Sequence, residues 1–133
     1  MHAFQALVWA VAVLTLARFR TRNAPRRFLG VCVLGQAFAL LGMHANVSEC
    51  IAVGHVVFTS ALWLGALGVD GVRGVELALV GALAAFTLVT RHRFGYCLFA
   101  KVRGSTATND VRYDVLYVVP LVLALARLCE CVA

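Results

Sequence analysis

Apolar residues run in five long stretches along this chain, Ala3–Ala17, Phe28–Met43, Cys50–Val69, Val75–Thr90 and Val115–Leu128, with polar or glycine-containing connections between them. Within a run the apolar residues do not alternate with polar ones, as the strands of a membrane barrel do. Helix is therefore predicted for each run, because backbone groups in hydrocarbon must be satisfied within their own segment. A spanning helix takes about 20 residues and tolerates about 17. Only the third run reaches that length unaided. The others borrow flanking arginines, whose stems lie along apolar surface while their charged ends reach water, or are shielded by neighbouring protein. The predicted fold is an all-α integral membrane protein with five transmembrane helices, a single multi-pass domain over residues 1–133.

Composition agrees. The chain is 62% hydrophobic and 14% charged, with a mean hydropathy of +0.90, whereas a soluble domain is about half apolar and about a quarter charged. The first run is expected to stay as a helix rather than be removed as a leader, because its positive charge follows the apolar stretch instead of preceding it.

Charge then sets orientation. The net charge is +6, and it brackets the apolar runs instead of gathering on a soluble face with stacking aromatics, so no nucleic-acid partner is expected. The first connection, "RFRTRNAPRR", holds Arg18, Arg20, Arg22, Arg26 and Arg27 and is expected on the inner side. The fourth, Arg91–Asp114, carries five basic residues against two aspartates, and strict alternation places it opposite the first. The shorter, denser cluster dominates, giving an outside N-terminus and an inside C-terminus. Helix contacts are expected at small residues: Gly65, Gly68, Gly71 and Gly74 at every third position, and Ala78, Gly81, Ala82 and Ala85 in small-xxx-small spacing.

No catalytic pattern is present: no HExxH, no GxSxG and no phosphate-binding glycine loop, so neither a catalytic residue nor a metal ligand is assigned. The five cysteines, at positions 32, 50, 97, 129 and 131, form no CxxC pair and leave one over; a structural role is expected for them. The loop between His44 and His55 spoils their geometry as a haem pair. Alternation puts His44, Cys50, His55, His92 and Cys97 towards one membrane side, where a metal or disulfide site competes with the plainer reading of His92 as part of a basic interfacial stretch. The sequon Asn46-Val47-Ser48 sits too near the membrane to be used. Ionisable groups in or beside spans are costly and mark function by default, which singles out Glu49 and Glu76. A carboxylate at a helix N-terminus also gains from the macrodipole alone, and that plain reading is stronger for Glu76 than for Glu49, which Gly54 and His55 follow in the same helix.

Three segments, "TLARFRTRNAP" (15–25), "ECIAVGHVVF" (49–58) and "YVVPLVLA" (117–124), together with the order of five helices, resemble the chain 6 family of mitochondrial NADH–ubiquinone oxidoreductase, respiratory complex I. The resemblance implies a core membrane-arm subunit in the mitochondrial inner membrane, not catalytic alone, that takes part in proton translocation coupled to ubiquinone reduction. Its partners would be the other membrane-embedded subunits of a large hetero-oligomer, and lipid. It would bind no cofactor itself; ubiquinone, FMN and iron–sulfur clusters would sit in partner subunits. It also implies a π-bulge in the third helix at Gly54, followed by Val57 and Phe58, and a proton path to which Glu49, His55 and Glu76 are the candidates. The chain departs from the family pattern at Ala52, where a tyrosine is usual, at His55, where a small residue is usual, and at Leu121 and Val122, where Phe-Glu is usual. The second helix also reads as shortened. Two other classes fit the same features: a structural multi-pass protein of another organellar complex or a virion inner membrane, and a small homo-oligomeric transporter or channel using Glu49 or Glu76.

Overall fold

The computed structural model describes residues 2–102, 104 and 111–132, the side chains of His2, Cys131 and Val132 excepted. All five apolar runs fold as helices: α1 (His2–Phe19), α2 (Arg26–Ala45), α3 (Ser48–Ala66), α4 (Val75–Phe94) and, after a short α5 (Leu98–Val102) inside the fourth connection, α6 (Val115–Val132). No strand occurs among the described residues. Arg103 and residues 105–110 of the fourth connection lie outside them.

Among the described residues three helices, α2, α3 and α4, are long and apolar enough to cross a membrane, and α1 is a shorter apolar helix over Ala3–Phe19. At about 1.5 Å per residue, the 20 residues of α2 and of α4 extend over about 30 Å, the thickness of a bilayer's hydrocarbon core. The second helix is thus not shortened. It begins right after Pro25, whose fixed φ of −74° suits a helix start, and it runs on to Ala45, where Asn46 closes it in the left-handed conformation at φ 56°. The third helix is shorter than its apolar run. Gly68 turns left-handed (φ 82°) and Val69–Gly71 forms a 3-10 turn instead of continuing the helix.

Helix α3 is central, touching α2, α4, α5 and α6, while α1 packs on α2 and α4 packs on α6. One core gathers Phe28, Leu29, Leu62, Ala66, Leu77, Val80 and Tyr117; a second, near the α1 N-terminus, gathers Phe4, Val8, Ala39, Ile51 and Phe99. The α2–α3 pair is built on absent side chains. A Cβ added to Gly54 would lie 2.8 Å from the Ala39 backbone nitrogen and 2.9 Å from the Gly35 carbonyl oxygen, so the two backbones approach as closely as they do only because Gly54 has none. Gly42 plays the matching part on α2, against the Ile51 backbone.

The other small residues divide differently from their spacing. Gly65 is a close-contact position against Val80 and Phe28. Gly68, Gly71 and Gly74 instead have positive φ and form the turn between α3 and α4, so they are turn residues rather than a contact stripe. On α4, Gly81 meets Ala124 of α6, whereas Ala78 and Ala82 are exposed. The buried stripe is Leu77, Gly81 and Ala84.

Two substitutions check the backbone approach. Gly54→Ala should lower stability by about 1–3 kcal/mol, since the clash is with backbone that no rotamer relieves. Gly30→Ala, in the same bundle but with nothing within 4 Å of the added carbon, should be neutral or stabilising by up to about 1 kcal/mol, as alanine is the better helix former. Thermal unfolding in detergent separates them; equal midpoints would refute the close approach.

Candidate functional site

Tertiary contacts define two polar ends. At one, Arg18 Nε donates to Glu76 Oε1 at 2.8 Å, tying the end of α1 to the start of α4. Close by, the turn after α3 is fixed twice. Asp70 Oδ2 accepts from the Arg27 backbone N–H at 2.9 Å and from that of Phe28 at 3.4 Å, capping the start of α2 from a distant loop. Arg127 of α6 donates to the carbonyls of Gly65 (3.0 Å), Ala66 (3.3 Å) and Val72 (2.6 Å), so the guanidinium ties α6 to the end of α3 and to the turn that follows it.

The opposite end holds the histidine cluster. The His55 imidazole stacks on Phe99 with centroids 4.8 Å apart and planes 5° from parallel. Its Nε2 lies 3.2 Å from the Tyr117 hydroxyl and 3.5 Å from Cys97 Sγ. The same hydroxyl is 3.2 Å from Thr59 Oγ1, and the Arg91 guanidinium sits 5.3 Å from the centre of the Tyr117 ring, a cation–π distance. Arg91 Nε and His92 Nε2 both reach the Asp114 carboxylate, at 3.3 and 2.9 Å. Trp63 Nε1 donates to the Leu116 carbonyl at 2.9 Å, pinning α3 to α6.

Between the ends runs an apolar cleft of about 90 Å³, lined by α1 through Phe4, Val8 and Val11, by α4 through Val80 and Leu83, and floored by α2 and α3. Cys97, Leu98 and Phe99 close it at the histidine end. One polar pair stands in it. Gln36 Nε2 donates to Thr15 Oγ1 at 3.1 Å, and Thr15 spends its own proton on the Val11 carbonyl at 2.7 Å. That fixes the amide orientation and leaves Gln36 Oε1 buried without a hydrogen-bond partner among the described residues.

The three proton-path candidates are therefore not brought together. Glu49 is exposed in the first turn of α3, where the macrodipole alone accounts for a carboxylate. His55 belongs to the tyrosine–cysteine cluster, and Glu76 is paired with Arg18 at the other end. Helix α3 is uninterrupted α-helix from Ser48 to Ala66; the π-bulge implied at Gly54 is not in it, and close packing explains that glycine. Of its neighbours in the motif, Val57 packs on Gly35 and Phe58 against Phe99.

His44 and His55 form no pair: His44 sits 3.1 Å from Gln5 Nε2 and beside Trp9. Cys32, Cys50, Cys97 and Cys129 are free thiols, while the Cys131 side chain lies outside the described residues. No group of three or more metal-ligating side chains occurs among the described residues. In the sequence Arg18 marks topology and Tyr117 is one of a few aromatics that suit a membrane interface, while Asp70 and Arg127 carry no local signal; the partners of Tyr117, Asp70 and Arg127 lie more than 40 positions away. Comparison with protein families, with characterised proteins and with solved structures finds no match.

The Arg18–Glu76 pair is asymmetric: the glutamate side chain is 5% exposed and the arginine 33%. Removing one partner of a buried pair leaves the other charge uncompensated. Arg18→Leu, which strands Glu76, should therefore lower the unfolding midpoint more than Glu76→Leu, after which Arg18 turns to water. The double variant should recover part of the Arg18→Leu loss. Thermal scans of the three proteins in detergent decide; an equal loss in both single variants would refute the asymmetry.

Proposed function

We propose that this chain is a non-catalytic, multi-pass subunit of a larger membrane assembly, built from five spanning segments with the N-terminus outside. Large apolar side chains exposed on α1 (Trp9, Val13, Leu16), α2 (Leu34, Leu41), α3 (Val53, Val56), α4 (Phe86, Val89) and α6 (Val118, Val122, Leu125) carry the reading. They surround the bundle instead of forming one patch, which is the distribution that lipid and neighbouring membrane helices require. The buried Gln36 acceptor, which has no hydrogen-bond partner among the described residues, adds to it, as a group from outside the chain would complete it.

The resemblance to chain 6 of complex I names the assembly: the membrane arm of respiratory complex I in the mitochondrial inner membrane, with ubiquinone, FMN and iron–sulfur clusters held by other subunits. In that setting the chain serves proton translocation together with its neighbours, and any α-to-π switch of α3 would have to lift Gly54 away from Ala39.

Affinity purification of the tagged full chain from its native membrane, followed by mass spectrometry of what accompanies it, is the direct test. NADH-oxidising, quinone-reducing partner subunits are expected. A different set of partners would keep the subunit reading and remove complex I; a stable homo-oligomer with no partner would remove both. Terminal tags should be accessible to protease on opposite sides, the N-terminal one from outside.

A further inference from the structure

We propose that the arginine end of the bundle is a binding site for anionic phospholipid. Arg20, Arg22, Arg26, Arg27 and Arg73 take phosphodiester headgroups of the inner leaflet, and the lipid tails lie along apolar side chains exposed beside them. The inference rests on the membrane reading of the chain, not on which assembly it joins.

The fold gathers these residues from two distant connections. The Arg18–Glu76 pair and the bonds from the Arg27 and Phe28 N–H groups to Asp70 hold the α1–α2 connection against the turn between α3 and α4. Arg73 follows Val72, whose carbonyl accepts from Arg127, so α6 joins the same end. The α1–α2 connection is itself a fixed turn. The Thr21 backbone N–H and hydroxyl both donate to the Arg18 carbonyl, at 3.1 and 2.6 Å, and Asn23 is left-handed at φ 60°.

Charge at this end stays unbalanced after the internal contacts are made. Two acidic side chains here are occupied, Glu76 by Arg18 and Asp70 by backbone N–H groups of α2. Glu130 is exposed three residues beyond Arg127, and Arg127 is itself engaged with backbone carbonyls. The remaining arginines, 20, 22, 26, 27 and 73, are exposed, and none forms an ion pair among the described residues. At the opposite end, by contrast, Asp114 takes both Arg91 and His92, and the Lys101 ammonium lies over the Tyr96 ring.

A guanidinium presents its N–H groups as a planar fork that matches two oxygens of a phosphate. A protein carboxylate would match it too; the border of the patch favours lipid. Leu16 and Phe19 on α1, Leu67 and Val69 after α3, and Val75 at the start of α4 are exposed at this same end. They offer acyl chains an apolar surface directly beside the charged groups, which an acidic protein segment would leave uncovered. The inner-side placement of the first connection also sets these arginines against the leaflet that carries anionic lipid. Topology needs only the sign of their charge during insertion; a bound headgroup is a further property of the folded chain.

Native mass spectrometry of the purified full chain in neutral detergent, titrated with dioleoylphosphatidylglycerol or dioleoylphosphatidylcholine, tests the proposal. The glycerol lipid should bind at least about tenfold more tightly, as each arginine near an anionic headgroup contributes about fivefold. That preference should fall at least about fivefold in Arg20→Gln/Arg22→Gln and in Arg27→Gln/Arg73→Gln. It should hold in Arg93→Gln/Lys101→Gln, which removes as much exposed charge from the opposite end. Excess inorganic phosphate, which has no tails, should not displace the lipid. Since none of the five arginines forms an ion pair within the described chain, each variant should keep the parent's unfolding midpoint, which establishes that it is folded. Equal affinity for the two lipids, an equal fall in the opposite-end variant, or displacement by phosphate overturns the proposal. So does a variant that keeps the lipid preference but loses a co-purifying subunit, since the arginines would then belong to an acidic protein surface. Because lipid preference is read on the isolated chain and partner subunits on the native membrane, failure of this site is distinguishable from failure of the subunit reading.

Discussion

The bundle depends on the contact between α2 and α3 at Gly54, where one helix backbone rests on the other. With no Cβ in the way, the Ala39 nitrogen and the Gly35 carbonyl come within a distance that any side chain would occupy. Burying apolar surface does little to associate helices that already lie in hydrocarbon; dispersion at close range does, and small residues are what permit it. Helix α3 can then carry α4 and α6 on its other faces, because its near face occupies so little width. The same contact answers why a glycine stands in an otherwise smooth apolar helix, and it does so without any distortion of that helix.

Charged groups close what this packing leaves open. The turn joining α3 to α4 holds Gly68, Asp70, Gly71 and Gly74 at positive φ, a conformation the glycines adopt readily and only Asp70 adopts at a cost, and it buries Val72 in the main core. It is held from three sides, by Asp70 on the α2 N-terminus, by Arg127 on the α3 carbonyls, and by Glu76 on Arg18. Each contact satisfies groups that water would otherwise have to reach. At the far end the same work falls to Asp114, shared between Arg91 and His92, and to the hydroxyl of Tyr117.

Much of this architecture is legible in the sequence, and its limits have physical causes. The five runs are predominantly apolar, and length with composition is enough to place helices of that kind. Their ends are less visible. Arg26 and Arg27 continue α2 because arginine is a good helix former, while Leu67 and Val69 leave α3 because Gly68 takes the left-handed turn. Glu76 and His55 stand out as ionisable residues in an apolar chain, yet their roles depend on Arg18 and Tyr117, 58 and 62 positions away. No local pattern encodes such distances. Gly54 stands out as well, and two physical uses of a missing side chain, deformation and close approach, leave the same letter in the sequence.

The separation of the polar ends bears on how protons could cross. From His55 to Gly65, beside which the Arg127–Glu76 end begins, α3 rises about 15 Å. Over that interval the hydroxyls near the cleft are already spent: Thr87 donates to the Leu83 carbonyl and Thr90 to that of Phe86, both within α4. Thr15 and Gln36 also interrupt the apolar lining, and the open acceptor of that pair is the amide oxygen, which has no proton to pass on. A relay needs groups that both accept and donate along its length. Among the described residues no such relay therefore joins one end to the other, so the proton role proposed above requires groups beyond these side chains. This dependence fits a protein whose outward faces are apolar all round and whose polar groups are gathered where its helices end.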